Sequence, residues 1–150
     1  MSMVLNTLDI VVSDLDASIA FYRRVGLEFQ VDPGMPDHAG CDLPNGMHLM
    51  LDSEKLTEMA RPGWTRPVGG PPVFLCLQLD SPAEVDRTYA ELTAAGYRGA
   101  REPWDAFWGM RYATVLDPDG NGVDLYAALP SDTNSDTNSD TDSDTEGDQA

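Results

Sequence analysis

The stretch DPDGNGVDLY, Asp117 to Tyr126, gathers acidic side chains at the spacing of an oxygen-ligating loop. Read as a calcium loop of the EF-hand kind starting at Asp117, it has Asp119, Asn121 and Gly122 in place. Its twelfth position is Ala128, where a bidentate Glu is needed, and its eighth is Asp124, where an apolar residue normally sits. The run is therefore read as a hairpin turn, with Pro118 presetting φ and Gly120 or Gly122 supplying φ > 0. Asp124 then follows the turn on a strand.

A second group is EPWDAFWGMRY, Glu102 to Tyr112. Trp104, Phe107 and Trp108 can cap a sheet end as core, or form a stacking wall at a pocket mouth. Beside carboxylates such a wall favours a flat or cationic ligand. Trp64 is a further mouth candidate. Arg111 can orient an anionic ligand group, with pairing to a carboxylate the favoured reading. His48 facing an Asp across a cavity could hold a proton near neutral pH and act as a general base, although a lone His on a sheet is more commonly a hydrogen-bonded polar residue. His38, in PGMPDHAG, reads as an exposed loop residue. Cys41 and Cys76 have neither metal nor redox spacing, and Cys76 reads as a small buried filler with no activating base.

The elements that must position these residues repeat once. LDIVVSDLDASIAFYRRVGLEF begins as a β-run over 5–12, and Asp14 is placed to cap a helix. Leu15, Ile19 and Tyr22 give that helix an apolar stripe, and Gly26 stops it. VFLCLQLDSPAEVDRTYAELTAAGYRG has the same grammar: a β-run over 73–79, a capping box of Ser81, Pro82 and Glu84, a stripe of Val85, Tyr89 and Leu92, and Gly96 as the stop. Short β-runs follow each helix, at 27–31, 39–43 and 47–52, then at 97–101, 111–116 and 123–127. The chain is thus α+β, two βαβββ modules at about 4–52 and 73–128 with a joint over 53–72 that is Pro/Gly-rich from Arg61 to Pro72. Side by side they form a curved mixed sheet, with helices outside and a concave pocket inside. Residues 1–130 make one domain. Residues 131–150, a SDTN-type repeat without apolar residues before Ala150, read as a disordered acidic tail.

LDIVVSDLDASIAFYRRVGLEF together with RYATVLDPDGNGVDLY resembles the vicinal oxygen chelate superfamily: glyoxalase I, extradiol dioxygenases, fosfomycin-modifying enzymes and bleomycin resistance proteins. The resemblance implies one divalent metal on the concave face, held by the first and last strands of each module. The first-strand ligand stands seven residues before the Asp of the helix-entry turn, which is Thr7 here, and the same count back from Ser81 gives Phe74. The closing ligand after DPDGN is Asp124. Aligning NGMHLM with NGVDLY makes His48 its counterpart. Two ligand types thus survive, His48 and Asp124, where catalysis needs at least three. The expected site is metal-free. The alternative is a divalent metal (Zn, Ni, Mn or Fe) on His48 and Asp124, which Asp9 could join from the face of Thr7.

Strand alternation from these positions lists the inward set: Thr7, Asp9 and Val11; Phe74, Cys76 and Gln78; His48 and Met50; Asp124 and Tyr126. Trp104, Phe107, Trp108, Arg111 and Tyr112 complete the expected pocket. The opposite faces, such as Leu49 and Leu51 or Leu75 and Leu77, are apolar and should lie under helices.

The chain carries 26 acids against nine bases, a net charge of −17. Such a surface repels phosphates and anionic membranes, so neither nucleic acid nor membrane is an expected partner. Lys55 is the sole lysine beside eight arginines, as in a salt-adapted or GC-rich host. The N-terminus shows no signal peptide, and a cytoplasmic protein with reduced thiols is expected. The reading is a small-molecule binder of the bleomycin-resistance type, sequestering an apolar or cationic compound. The alternatives are a metal-dependent glyoxalase-like lyase or isomerase, an extradiol-type dioxygenase, and an accessory protein using its pocket for regulation. The resemblance also implies a homodimer.

Overall fold

A computed structural model describes residues 2–71 and 73–131. The acidic tail lies almost wholly outside them. Module one runs β1 (Thr7–Val12), α1 (Leu15–Arg24), β2 (Gln30–Asp32), β3 (Met35–Asp42) and β4 (His48–Ser53). Module two runs β5 (Phe74–Gln78), α3 (Pro82–Ala94), β6 (Arg98–Ala106), β7 (Met110–Leu116) and β8 (Gly122–Ala128). Between them lies α2 (Glu54–Ala60). Each module folds into its own four-stranded mixed sheet, ordered β1-β4-β3-β2 and β5-β8-β7-β6. The inner edges of β1 and β5 are not joined into one ladder, so the single larger sheet expected from sequence is two sheets.

The helix ends follow their side chains. Asp14 caps α1 by accepting from the Ala17 N–H at 3.0 Å, and Ser81 Oγ caps α3 by accepting from the Glu84 N–H at 3.3 Å. Gly26 and Gly96 end them with φ of 84° and 95°, a conformation other residues adopt only with strain. Residues 54–60, read as part of the joint, form a helix that Ser53 caps by accepting from the Leu56 N–H.

One apolar core joins the modules. Val12, Leu49, Leu51, Val123 and Leu125, on the helix-covered sheet faces, share it with Val85 and Leu92 of α3. Across the joint, Phe21 of α1 meets Tyr97 edge-on at 4.9 Å. The Tyr22 hydroxyl donates to Asp117 Oδ2 at 2.8 Å. Ser13 donates from both its N–H and its hydroxyl to Asp119, which Arg66 also approaches at 3.4 Å. The acids of DPDGN thereby fasten the second module to the first, while Asp117 also accepts the N–H groups of Asp119 and Asn121 to shape its own turn.

Candidate functional site

The two modules enter their closing strands through the same turn. In the first, the Leu43 N–H donates to Met47 O at 2.8 Å, and Gly46 has φ 86°. In the second, the Asp117 N–H donates to Asn121 O at 2.9 Å, and Gly120 has φ 84°. Leu43-Pro44-Asn45-Gly46-Met47 therefore corresponds to Asp117-Pro118-Asp119-Gly120-Asn121. His48 then matches Gly122, and Met50 matches Asp124. Strand pairing agrees: Thr7 lies beside His48 and Asp9 beside Met50, while Phe74 lies beside Gly122 and Cys76 beside Asp124. The expectation that His48 is the counterpart of Asp124 is corrected by two residues. Asn-Gly occurs in both segments, but Asn45-Gly46 sits inside its turn whereas Asn121-Gly122 straddles the end of the other.

The helix-free face of module two, its open face, has two cross-strand rows. One is Cys76, Asp124, Thr114 and Arg101; the next is Gln78, Tyr126, Tyr112 and Trp104. Asp124 sits at the middle of this face with both oxygens engaged. Oδ1 accepts from Thr114 Oγ1 at 2.6 Å, and Oδ2 accepts from the Tyr112 hydroxyl at 2.9 Å. Cys76 Sγ, exposed rather than the buried filler expected, lies 3.7 Å from both Asp124 and Tyr112. Burial and then hydrogen bonding with Cys76 and Asp124 push the Tyr112 phenol above its ordinary range, so it keeps its proton and donates it. Tyr126 stacks on Tyr112 at 5.9 Å, Trp108 meets Tyr112 edge-on at 5.4 Å, and Trp104 meets Trp108 at 5.3 Å. Trp104 stands within β6, not in a loop, because that strand extends to Ala106. Phe107 and Trp108 occupy the β6–β7 turn and are 91% and 47% exposed. Arg111 departs from the expected pocket. It alternates to the helix side, where Asp86 of α3 takes its Nε at 2.8 Å and Asp105 its Nη1 at 3.0 Å.

On the open face of module one, His48 Nδ1 pairs with Asp42 Oδ1 at 2.6 Å, and its ring lies over Gly40. His38, expected in an exposed loop, is half-buried in β3 and pairs through Nδ1 with Asp52 Oδ1 at 2.5 Å. Asp9 lies close by, with Arg61 Nη2 3.5 Å from its Oδ2 and its buried Oδ1 without a partner. Burial and then the charge of Asp52 push the Asp9 carboxyl above its ordinary value; Arg61 and His38 pull the other way. Thr7 Oγ1 bonds only its neighbour Asn6 at 3.0 Å, and the Phe74 ring lies over Gly122. His48 and Asp124 stand on different sheets, each with its own partners.

Residues 4–125 match the family model described as Glyoxalase/Bleomycin resistance protein/Dioxygenase superfamily. The chain belongs to this superfamily. No curated protein matches it. A glyoxalase/bleomycin resistance protein/dioxygenase from Nocardioides is 28% identical with a TM-score of 0.69, over 86% of this chain and 85% of that one. A glyoxalase/bleomycin resistance protein/dioxygenase family enzyme from Burkholderia phytofirmans PsJN (TM-score 0.71, 23% identity, 83% and 98% covered) and a hypothetical protein from S. aureus (0.72, 22%, 85% and 95%) share the fold.

The superfamily resemblance implies a metal at four positions, which the corrected register assigns to Thr7, Met50, Phe74 and Asp124. These residues do not fit one. Phe74 has no donor atom, Met50 offers a soft thioether unsuited to hard divalent ions, and Thr7 is neutral. Asp124 alone carries charge, and its oxygens already serve Tyr112 and Thr114. Among the described residues, no three His, Cys, Asp or Glu side chains are grouped to hold a metal. A cavity of about 310 Å³ opens between the inner edges of the two sheets, lined by Leu8, Asp9, Ile10 and Leu75 and by Trp64 and Arg66 of the joint. Of the inward set expected from sequence it takes Asp9 and Val11, and Trp64 of the joint stands at its wall; the aromatic group of module two lies on the open face beyond it.

Proposed function

We propose that this superfamily member binds a small molecule without a metal, in the manner of a sequestering protein. The observation that carries the reading is the donor set at the four ligand positions: Thr7, Met50, Phe74 and Asp124, with Asp124 already bonded within its own sheet. The surface offered to a ligand is the aromatic group Trp104, Trp108, Tyr112 and Tyr126, two of them Trp side chains that report occupancy by fluorescence. A flat, largely apolar compound suits it. The same reading has the protein act as a cytoplasmic homodimer, with the exposed Phe74 and Phe107 available to a second copy.

The test is elemental analysis of protein purified and dialysed without chelator, with light scattering on the same sample. The expected result is a dimer holding far less than one metal per chain. Stoichiometric Zn, Ni, Mn or Fe surviving dialysis would overturn the metal-free reading, and a monomer would remove the second copy.

A further inference from the structure

We infer that Arg101 is the specificity determinant of this face, and that the ligand is an aromatic compound carrying one anionic group. The inference rests on the open face of module two being the binding surface.

Arg101 ends the cross-strand row that begins Cys76, Asp124 and Thr114. It is exposed, and its guanidinium carbon lies 4.2 Å from the centroid of the Trp104 ring. Stacking of this kind uses the π-face of the guanidinium and leaves its in-plane N–H fork unspent, with less rotamer freedom to lose when an oxyanion arrives. Most other arginines are already committed: Arg61 to Asp9, Arg66 to Asp119 and Glu54, Arg87 to Glu84, and Arg111 to Asp86 and Asp105. Arg101 has no carboxylate within ion-pair distance among the described residues; nor do Arg24, which lies over the Tyr97 ring at 5.8 Å, and Arg98, which stands earlier on β6 opposite Leu116 of β7. On a chain of net charge −17, such a cation is a local exception.

Three carboxylates of the open faces that would otherwise call for a cationic ligand are taken. Asp124 accepts from Tyr112 and Thr114, Asp52 from His38, and Asp9 lies against Arg61. Two strand spacings, about 10 Å, separate the backbone of Asp124 from that of Arg101. A fused-ring ligand resting on Tyr112 and Trp108 spans that interval and delivers a carboxylate or sulfonate to the arginine fork.

Binding of 1-naphthoate, 1-naphthalenemethanol and 1-naphthylmethylammonium to the full chain is measured by Trp fluorescence at low salt. The expected order puts naphthoate about tenfold tighter than the neutral alcohol, the difference of one charge-assisted contact. Arg101→Gln is expected to remove that preference while leaving the alcohol within about twofold of its original affinity. Arg101→Lys, which keeps the charge and loses the fork, should fall between. Equal affinity for naphthoate and the alcohol, a preference for the ammonium, or a preference that survives in Arg101→Gln overturns the role of Arg101 while leaving the surface itself intact. If none of the three compounds binds, the binding surface is wrong and the inference falls with it.

Discussion

Removing the Tyr22 hydroxyl should loosen the two modules without changing their shape. Tyr22 is fully buried, and its hydroxyl donates at 2.8 Å to Asp117, which is only 4% exposed. Tyr22→Phe deletes one buried hydrogen bond to a charged acceptor, an interaction that contributes about 1.5–3 kcal/mol. Asp117 keeps three donors, the N–H groups of Asp119 and Asn121 and the Asn121 side-chain amide, so its charge is not stranded. The expected loss is therefore about 2 kcal/mol at neutral pH, near the middle of that range. For a domain of this size the melting temperature should fall by roughly 6 °C. Urea unfolding followed by Trp fluorescence measures it. A loss below about 0.5 kcal/mol would refute the claim that this bond fastens the modules.

The same variant has an alkaline signature. Burial first, and then the charge of Asp117, push the Tyr22 phenol far above its ordinary 10.0. A folded-state pKa raised above the unfolded one means that the folded chain holds the proton more tightly. The stability this contributes is complete below pH 10 and is lost as pH rises toward the folded pKa. The wild-type chain should therefore lose an extra ~1.4 kcal/mol per pH unit above 10 from this group, and Tyr22→Phe should not. Parallel pH profiles for the two proteins would refute the assignment even if the neutral-pH loss were found.

Two further outcomes follow from the site and its turn. Asp9 has its pKa raised above 3.8 by burial and by Asp52, so its favourable contribution is complete below 3.8 and is lost as pH rises through the folded value; Asp9→Asn should gain stability at pH 7 relative to pH 3, and identical changes at both pH values in urea titrations would contradict the burial argument. Gly120, at φ 84°, should lose about 1–2 kcal/mol on change to Ala but less on change to Asn, which tolerates that conformation; equal losses in thermal melts would remove the backbone explanation.

The elements with local punctuation were legible in the sequence. Asp14 and Ser81 are caps and Gly26 and Gly96 are stops because each acts within a few residues of where it stands. Alternation also placed Leu49 and Leu51 under the helices. What stayed hidden depends on partners distant in sequence. β6 runs on through Trp104 because Tyr112 pairs with it across the strand, and His38 is a strand residue because Asp52 stands opposite. The Ser53 cap was a local signal that the Pro/Gly content of the joint obscured. The bond from Tyr22 to Asp117, across 95 residues, leaves no local pattern at all.

An acid in a closing turn can shape the turn, join modules or serve a ligand, and composition does not separate these roles. In the first module the turn is Leu43-Pro44-Asn45-Gly46-Met47, in which the Asn45 side chain accepts from the Met47 N–H at 3.0 Å and no charge is required. In the second module the same geometry carries Asp117 and Asp119. Their extra charge is met by Tyr22, Ser13 and Arg66 of the preceding segments. The difference between the two turns is therefore accounted for by module joining. Asp124 follows the same logic one strand later, spent on Tyr112 and Thr114 to hold the aromatic group in register. With the acids occupied in building the face, its selectivity passes to the side chains left uncommitted: the Trp108 and Tyr112 rings for shape, and the Arg101 fork for charge.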